Sequence, residues 1–336
     1  MSDSRADDPR ADALEPGSGP QGRHDGQRGA PHRPVLVVGA GPVGLSAALA
    51  LRAQGWPATV LEADPPDRQR PGSRAIFTHG TVLAVLERLR AGLGWALARH
   101  GLVWPTKRAL WRGREGFRRT YPPPPDNALP PFTSMPQVET EQHLLDACKQ
   151  ADVELVWDTP VTAAETHPGG VRLVTAGGEE WTAEYGVAAD GARSAVRHAL
   201  GIAMAGRSSA NAFVIVDVDE DPHAPLPPER VFHYRHPAAG GRHVLHVPFA
   251  GGWRVDLQCR PSDDPEEFAS PRGMESWLEA VQGPGSLDRV SWASTYRFHQ
   301  VVAQAFTDAH RRVLLAGEAA HLFAPFGARG MNSGIV

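Results

Sequence analysis

The sequence predicts an α/β fold: a β-α-β unit with the pattern of a buried parallel sheet, and a second domain built on a mainly antiparallel β-sheet. Three observations carry this. Residues 35–62 read as strand, glycine turn, helix, strand. Residues 211–260 hold short β patterns ("NAFVIVDV", "RVFHYRH", "RHVLHVPF", "WRVDLQC") between Gly/Pro turns. Strand-like patterns run from Val153 to Ala189, and the segment that begins at Leu314 opens like another buried strand and turns at Gly317-Glu318.

The first unit is "PVLVVGAGPVGLSAALALRAQGWPATVLEAD", residues 34–64. Val35 to Val38 is continuously apolar, as a buried parallel strand requires. Val43 to Ala53 is rich in Leu and Ala and predicts a helix; Ala58 to Glu62 predicts the second strand. Further along, Val82, Val85, Leu86 and Leu89 share one face of a helix over 80–90, and another helix fits 139–150. The proline-rich stretch "YPPPPDNALPP" (121–131) must be an extended connection, because proline can continue neither a helix nor a central strand. Short β patterns run from Val153 to Ala189, and 261–290 reads as loop with a short helix around Trp277. No internal repeat is present.

The chain of 336 residues has room for one large domain or two smaller ones. A hydrophobic share of 41% and a charged share of 21% are those of an ordinary globular protein, and a net charge of −4 argues against nucleic acid or an anionic membrane as partner. Lys107 and Lys149 are the only lysines. Two distant cysteines, Cys148 and Cys259, predict no structural disulfide or Cys-based zinc site and fit a reducing cytoplasm. No apolar run is long enough for a transmembrane helix, and the N-terminus lacks the apolar core of a signal peptide. Residues 1–33 carry only Met1 and Leu14 as large apolar groups and are expected to be disordered.

Gly39-Ala40-Gly41-Pro42-Val43-Gly44 is a GxGxxG at a strand-to-helix turn. The first glycine permits the tight turn, the second lets backbone approach a pyrophosphate, and the third lets helix and strand pack closely. The helix N-terminus adds unpaired N–H groups and a positive dipole end. Glu62 ends the second strand, where its two oxygens are expected to accept both hydroxyls of an adenosine ribose. Strand, helix and terminal acid together predict a Rossmann-like dinucleotide site; alone they do not choose between FAD and NAD.

Two further motifs choose. "YGVAADGARSAVRHALGI" (185–202) and "RRVLLAGEAAHLFAPFGARGMNSG" (311–334), following the GxGxxG in order, make residues 34–336 resemble the class A flavoprotein monooxygenases, the aromatic hydroxylases of the para-hydroxybenzoate hydroxylase type. The resemblance implies a discontinuous Rossmann-like FAD-binding domain at 34–110, 136–205 and 298–336, a substrate-side segment at 111–135, and an inserted antiparallel β-sheet substrate domain at 206–297. It implies that Gly39, Gly41, Gly44 and Glu62 hold the ADP half of FAD, and that Arg74 lies near the pyrophosphate and Gln137 on the flavin side. Asp190 and Gly191 match the DG pair, which serves FAD and NAD(P)H. Gly317 and Glu318 match the GD pair at the ribityl chain, with Glu in place of Asp, and Pro325, Gly327, Gly330 and Asn332 match the loop and helix start beside the isoalloxazine ring. In the family the helix that begins at Gly330–Asn332 is long. Here the sequence ends at Val336, so a C-terminally truncated chain is expected, with a stub too short to stay helical unaided and a poorly formed ring half of the site.

The implied chemistry is reduction of FAD by NAD(P)H, addition of O2 at the flavin C4a, and transfer of OH from that hydroperoxide to a phenol-like aromatic small molecule. Substrate-pocket residues are expected from the 211–260 strands and the 100–120 segment. A flavin halogenase would need a lysine motif that neither Lys107 nor Lys149 matches, and a plain NAD dehydrogenase leaves the DG and terminal motifs without a role. The rival of another class is a non-catalytic nucleotide-binding remnant or partner subunit. No metal is expected: His233/His236 and His243/His246 are each three residues apart, an offset that puts strand side chains on opposite faces. Oligomeric state is not legible.

Overall fold

The computed structural model describes residues 32–323 and 329–336. The expected disordered segment therefore lies outside the described residues, except for His32 and Arg33, which open the first strand.

β1 (His32–Val38), α1 (Pro42–Ala53) and β2 (Thr59–Leu61) form the β-α-β unit. β3 (Phe77–His79), α2 (Gly80–Leu89) and α3 (Leu93–His100) follow, then the hairpin β4 (Thr106–Trp111) and β5 (Arg114–Thr120). β6 (Phe132–Ser134) pairs with β3, and α4 (Gln137–Gln150) leads to β7 (Glu154–Val156). β8 (Val161–His167), β9 (Gly170–Thr175) and β10 (Glu180–Ala188) make a meander, closed by α5 (Ala195–Ala199). β11 (Met204–Asp219), β12 (Glu229–His236), β13 (Arg242–Phe249) and β14 (Gly252–Gln258) precede three short helices, α6 (Pro265–Ala269), α7 (Pro271–Glu275) and α8 (Leu278–Gln282). The chain finishes with β15 (Val290–Ala303), β16 (Val313–Leu315), β17 (His321–Leu322) and α9 (Arg329–Ile335).

The first sheet runs β7-β2-β1-β10 in parallel. The N-terminal half of β10 carries β9 and then β8, and its C-terminal half carries β16, parallel to it. The continuous apolar run in β1 has its physical reason here. Val37 faces the helical layer with Leu45, Leu49, Leu86, Leu97 and Leu144, while Leu36 and Val38 face Leu173, Val196, Val313 and Leu315. Both faces of the strand are buried, so no polar alternation is possible.

The second sheet runs β17-β15-β11-β14-β13-β12-β4-β5, antiparallel except where β12 meets β4. It draws on residues 106–120, 204–258, 290–303 and 321–322, so it crosses the expected segment boundaries at 110, 205 and 297. One face packs Val214, Val216, Val255 and Leu257 against Trp277 and Leu278. The other face turns Leu245, Val247 and Phe249 toward Ile76 of the first domain.

The histidine expectation is corrected for His233 and His236 and holds for His243 and His246. His233 and His236 lie on the same side of β12, their ring centroids 4.7 Å apart, because a register irregularity with Arg235 at φ 52° separates them. His246 joins them, 5.2 Å from His233. His246 and His233 point to the helix-covered face with Val244, whereas His243 stands on the other side near Phe232 and Tyr234. No cluster with metal-holding geometry occurs among the described residues.

Burial pushes the His246 imidazole down to about 3 and that of His233 to about 4, each further lowered by its histidine neighbours. Between those values and the ordinary 6.5, the unfolded chain binds a proton that the folded chain refuses, so stability falls as pH falls. Urea unfolding should lose up to about 1.4 kcal/mol per pH unit from His246 alone below pH 6.5. His246→Leu should flatten that slope; an unchanged slope would show that His246 does not set it.

Candidate functional site

The loops after β1, β2, β10 and β16 all leave the carboxyl edge of one parallel sheet, and every motif from the first domain lies there. That edge is where open α/β sheets bind ligands. Gly39 (φ 100°) makes the turn; a Cβ there would lie 2.5 Å from the Ala189 carbonyl oxygen, next to the DG loop. A Cβ on Gly44 would run into the Gly39 carbonyl, so the third glycine is what lets α1 start directly on the turn. At Gly41 the Cβ direction is open, with nothing within 4 Å. Gly41 caps α1 without any side-chain hydrogen bond, which leaves helix-end N–H groups directed at this space.

Glu62 is buried and more heavily engaged than its sequence position suggests. Its Oε2 accepts from the Ala40 N–H at 2.5 Å and pairs with Arg68 at 2.9 Å; its Oε1 accepts from the Asp64 N–H at 3.1 Å and lies 3.5 Å from Arg70. Arg68 also donates to the Ala40 carbonyl at 2.7 Å, stacks 5.2 Å over Trp157, and shares Glu141 with Arg70. The expectation of two free carboxylate oxygens is thus corrected. Glu62 braces the glycine turn, and a ribose hydroxyl would have to share or replace a guanidinium contact.

Arg74 is exposed and has φ 50°, on a loop held from both domains. Gln137, at the start of α4, donates its backbone N–H to the Ser73 carbonyl at 2.9 Å. Its Oε1 accepts from the Ala75 N–H at 3.3 Å, and its Nε2 donates to Glu141 at 2.8 Å. Gln137 therefore supports the Arg74 loop. Asp190 accepts from the Val196 N–H at the start of α5 through Oδ2 (3.1 Å), while its buried Oδ1 has no hydrogen-bond partner. Gly191 follows at φ 80°. Arg197, buried and not singled out by the sequence, donates to the Ala319 carbonyl at 3.1 Å and to that of Ala192 at 3.3 Å, tying the DG loop to the turn after β16.

In that turn Gly317 (φ 59°) packs on Val43 of α1. Glu318 is open to solvent yet has enough protein around it for desolvation to raise its carboxyl above the usual range, with Arg74 pulling it back down. Its charge is also felt by Tyr296 of β15. Asn332 is buried: its Oδ1 accepts from the His79 N–H and its Nδ2 donates to the Phe77 carbonyl, both at 2.7 Å. Gly334 packs against Val43 and Gly317. These contacts hold α9 helical, which corrects the expectation drawn from its length: tertiary packing supplies what seven residues cannot. Gly330 lies in α9 facing open space, whereas Pro325 and Gly327 lie outside the described residues.

Across from this edge stands the inner face of the second sheet. Arg119 pairs with Lys107, and Lys107 with Arg230. Val231 pairs with His246, so Arg230 and Val247 stand one step along; Val247 pairs with Arg254, Arg254 with Asp217, and Asp217 with Trp292. The result is a transverse row rich in cations on the face that meets Ile76. Arg254 is neutralised by Asp256 at 2.7 Å. Arg230 has no hydrogen bond or ion pair among the described residues; burial depresses its pKa, with the Asp256 charge opposing. Phe232 and Tyr234 flank it on the same face, centroids 4.4 Å apart. Nothing in the sequence pattern marked this row, because it exists only once strands are in register. A cavity of about 510 Å³ lined by Arg112, Arg235, His243 and Arg260 opens farther along the same sheet, beyond the row, and takes no part in the site.

Comparison with known proteins decides the family. The model described as "FAD binding domain" matches residues 32–336. The chain belongs to the FAD binding domain family. It is 30% identical over 314 residues to 6-methylpretetramide 4-monooxygenase of Streptomyces rimosus, matching 90% of this chain and 53% of that protein. It is also 30% identical over 319 residues to rifampicin monooxygenase of Streptomyces venezuelae, matching 90% and 61%. Among solved structures, p-nitrophenol 4-monooxygenase from Pseudomonas putida DLL-E4 superposes with a TM-score of 0.75 at 26% identity, covering 90% of this chain and 76% of that one. A flavin-dependent monooxygenase in complex with FAD and substrate shares the fold, with a TM-score of 0.74 at 23% identity. The chain spans a little over half the length of the first two relatives.

The residues present fit the family's cofactor: an open Cβ direction at Gly41, uncapped N–H groups on α1 and an unpartnered Asp190 oxygen lie along one edge. No helix among the described residues is long and apolar enough to cross a membrane. Both cysteines are buried and free, and burial pushes Cys148 up to about 12 and Cys259 to about 11.

Two glycine variants should separate folding from binding. Gly44→Ala puts a methyl into backbone and should lower stability by roughly 1–3 kcal/mol or more. Gly41→Val points into open space and should melt like the wild type yet fail to retain flavin. Equal melting temperatures for Gly44→Ala and wild type would show that α1 does not depend on that approach.

Proposed function

We propose that the chain forms the FAD-binding and substrate-facing parts of an NAD(P)H-consuming monooxygenase that hydroxylates a phenol-like aromatic molecule. The observation that carries this is the meeting of the glycine turn, Arg74, the DG loop and Glu318 along one sheet edge, opposite a face bearing Arg230, Phe232 and Tyr234. The names of the relatives, monooxygenases of aromatic compounds such as p-nitrophenol, support the same reading.

In this reading Gly39, Gly41 and the N-terminus of α1 hold the pyrophosphate, Glu62 the adenosine ribose, and Glu318 the ribityl chain. Arg74 supplies positive charge between them, and Gln137 holds the Arg74 loop in place. Asp190 and Gly191 line the cofactor's path. Gly330 and Asn332 border the ring. Bound FAD supplies electron transfer from NAD(P)H and activation of O2; the protein orients the aromatic ring and excludes water. Arg230 would attract a phenolate or carboxylate, because a half-buried guanidinium with no ion pair among the described residues is stabilised by an incoming anion.

Purified protein should release FAD, not FMN, and phenols should stimulate its NAD(P)H oxidation. Arg230→Gln should raise KM for an anionic phenol about tenfold or more, consistent with the loss of a charge-assisted hydrogen bond. Released FMN, or NAD(P)H oxidation indifferent to every phenol tried, would overturn this reading; FAD binding without any stimulated turnover would favour a nucleotide-binding subunit.

Glu318 gives a separate prediction. Glu318→Asp should keep FAD, whereas Glu318→Leu should weaken it by about 10- to 100-fold, the equivalent of about 1.5–3 kcal/mol for a hydrogen bond to a charged group. Flavin fluorescence titration measures both, and equal affinity for wild type and the leucine variant would remove Glu318 from the site.

A further inference from the structure

We propose that Asp217, on the second sheet, is a positioning residue that fixes the loop presenting Arg74 to the cofactor. This rests on the reading of Arg74 as a cofactor contact.

Arg74 occupies the left-handed region at φ 50°, a conformation that a non-glycine residue keeps only when its surroundings hold it there. Four hydrogen bonds from three side chains hold it. Asp217 Oδ2 accepts from the Ser73 N–H at 2.5 Å, and Oδ1 accepts from the Ser73 hydroxyl at 2.7 Å. On the other flank Gln137 Oε1 accepts from the Ala75 N–H. The Arg74 carbonyl itself accepts from the Arg254 guanidinium. A side chain at Gly72 would strike the Trp292 ring, so the loop's entry is fixed from the second sheet as well.

Asp217 is 3% exposed and Ser73 2%. A buried carboxylate is retained only where donors and countercharge compensate for lost water. Burial pushes the Asp217 carboxyl above its usual range, and the two Ser73 donors and the charge of Arg254, the register neighbour that also grips Arg74 and pairs with Asp256, oppose that shift. The carboxylate thus bonds to the residue before Arg74, and its cross-strand neighbour bonds to Arg74 itself. The loop's exposed end is the Arg74 guanidinium, whose charge acts on the Glu318 carboxyl and lowers its pKa against the rise from desolvation. Where that guanidinium stands is set from β11, a strand of the other domain.

The test is a double-mutant cycle on FAD affinity, read by flavin fluorescence, with amide exchange of residues 72–76 and melting temperature measured on each variant. Asp217→Ala and Arg74→Ala should each weaken FAD about tenfold. The double variant should bind no worse than Arg74→Ala alone, because the first change acts through the second residue. Asp217→Asn should recover most of the affinity, since an amide can still accept from the Ser73 N–H and bond to its hydroxyl. The Ser73 and Ala75 amides should exchange faster in Asp217→Ala but not in Asp217→Asn. If Asp217→Ala does not fold, Ser73→Ala takes its place in the cycle, with a loss of a few-fold that vanishes in the Arg74→Ala background. Multiplying effects, or wild-type affinity in Asp217→Ala, would overturn the proposal while leaving Arg74 as a contact. Wild-type affinity in Arg74→Ala would instead overturn the cofactor reading of Arg74, and the proposal with it.

Discussion

Everything at the carboxyl edge depends on how closely α1 approaches the turn that follows β1. The Gly44 α-carbon sits so near the Gly39 carbonyl that no side chain fits between them, and Gly39 is pressed equally against Ala189. Those two approaches stack the first turn of α1, the end of β1 and the DG loop after β10. The helix N-terminus is therefore aimed at one point in space rather than swinging on its turn. Gly317 and Gly334 extend the same logic, since both pack against Val43 on the first turn of α1. α1 is the hub on which the terminal segment is hung.

Charge organises the rest of the edge. Glu62, Glu141, Arg68 and Arg70 form a compact set of opposite charges under the glycine turn, most of it buried. A buried network of this kind adds little net stability but penalises any other arrangement of its members, because an unpaired buried charge is costly. It fixes the loop between β2 and β3, whose far end carries Ser73 and Arg74. From there the tethers pass to Asp217 and Arg254 on the second sheet. The two sheets are thus joined at the Arg74 loop, by hydrogen bonds to a carboxylate and from a guanidinium as well as by apolar packing around Ile76.

The second sheet has two faces with different tasks. Its helix-covered side is a conventional apolar core with three histidines held neutral at its margin. Its inner side combines aromatic rings with cations, and only part of that charge is neutralised locally. Period-two alternation along β13 and β14 and the regular stretches of β11 and β12 separates the tasks.

The sequence by itself determined the β-α-β unit, the glycine geometry, the DG and Gly-Glu turns and the β-rich insert, because each is a local pattern: a run of apolar residues, a period, a turn residue. It did not disclose β4 and β5 or the long β15, whose segments are polar enough to read as loop ("REGFRRT", "SWASTYRFHQ") and become strands only by pairing with neighbours. It misplaced His236 relative to His233, though not His243 relative to His246, because a bulge resets strand parity, and periodicity cannot show a bulge. It presented Glu62 as a free acceptor because its partners Arg68 and Arg70 arrive from a loop of no regular structure. Asp217, Arg230 and Arg254 lie far from the glycine motif along the chain, and nothing local distinguishes them from other strand residues. Register decided their place: hydrogen bonding between strands brings them into one row, and the packing of the two sheets sets that row against Arg74.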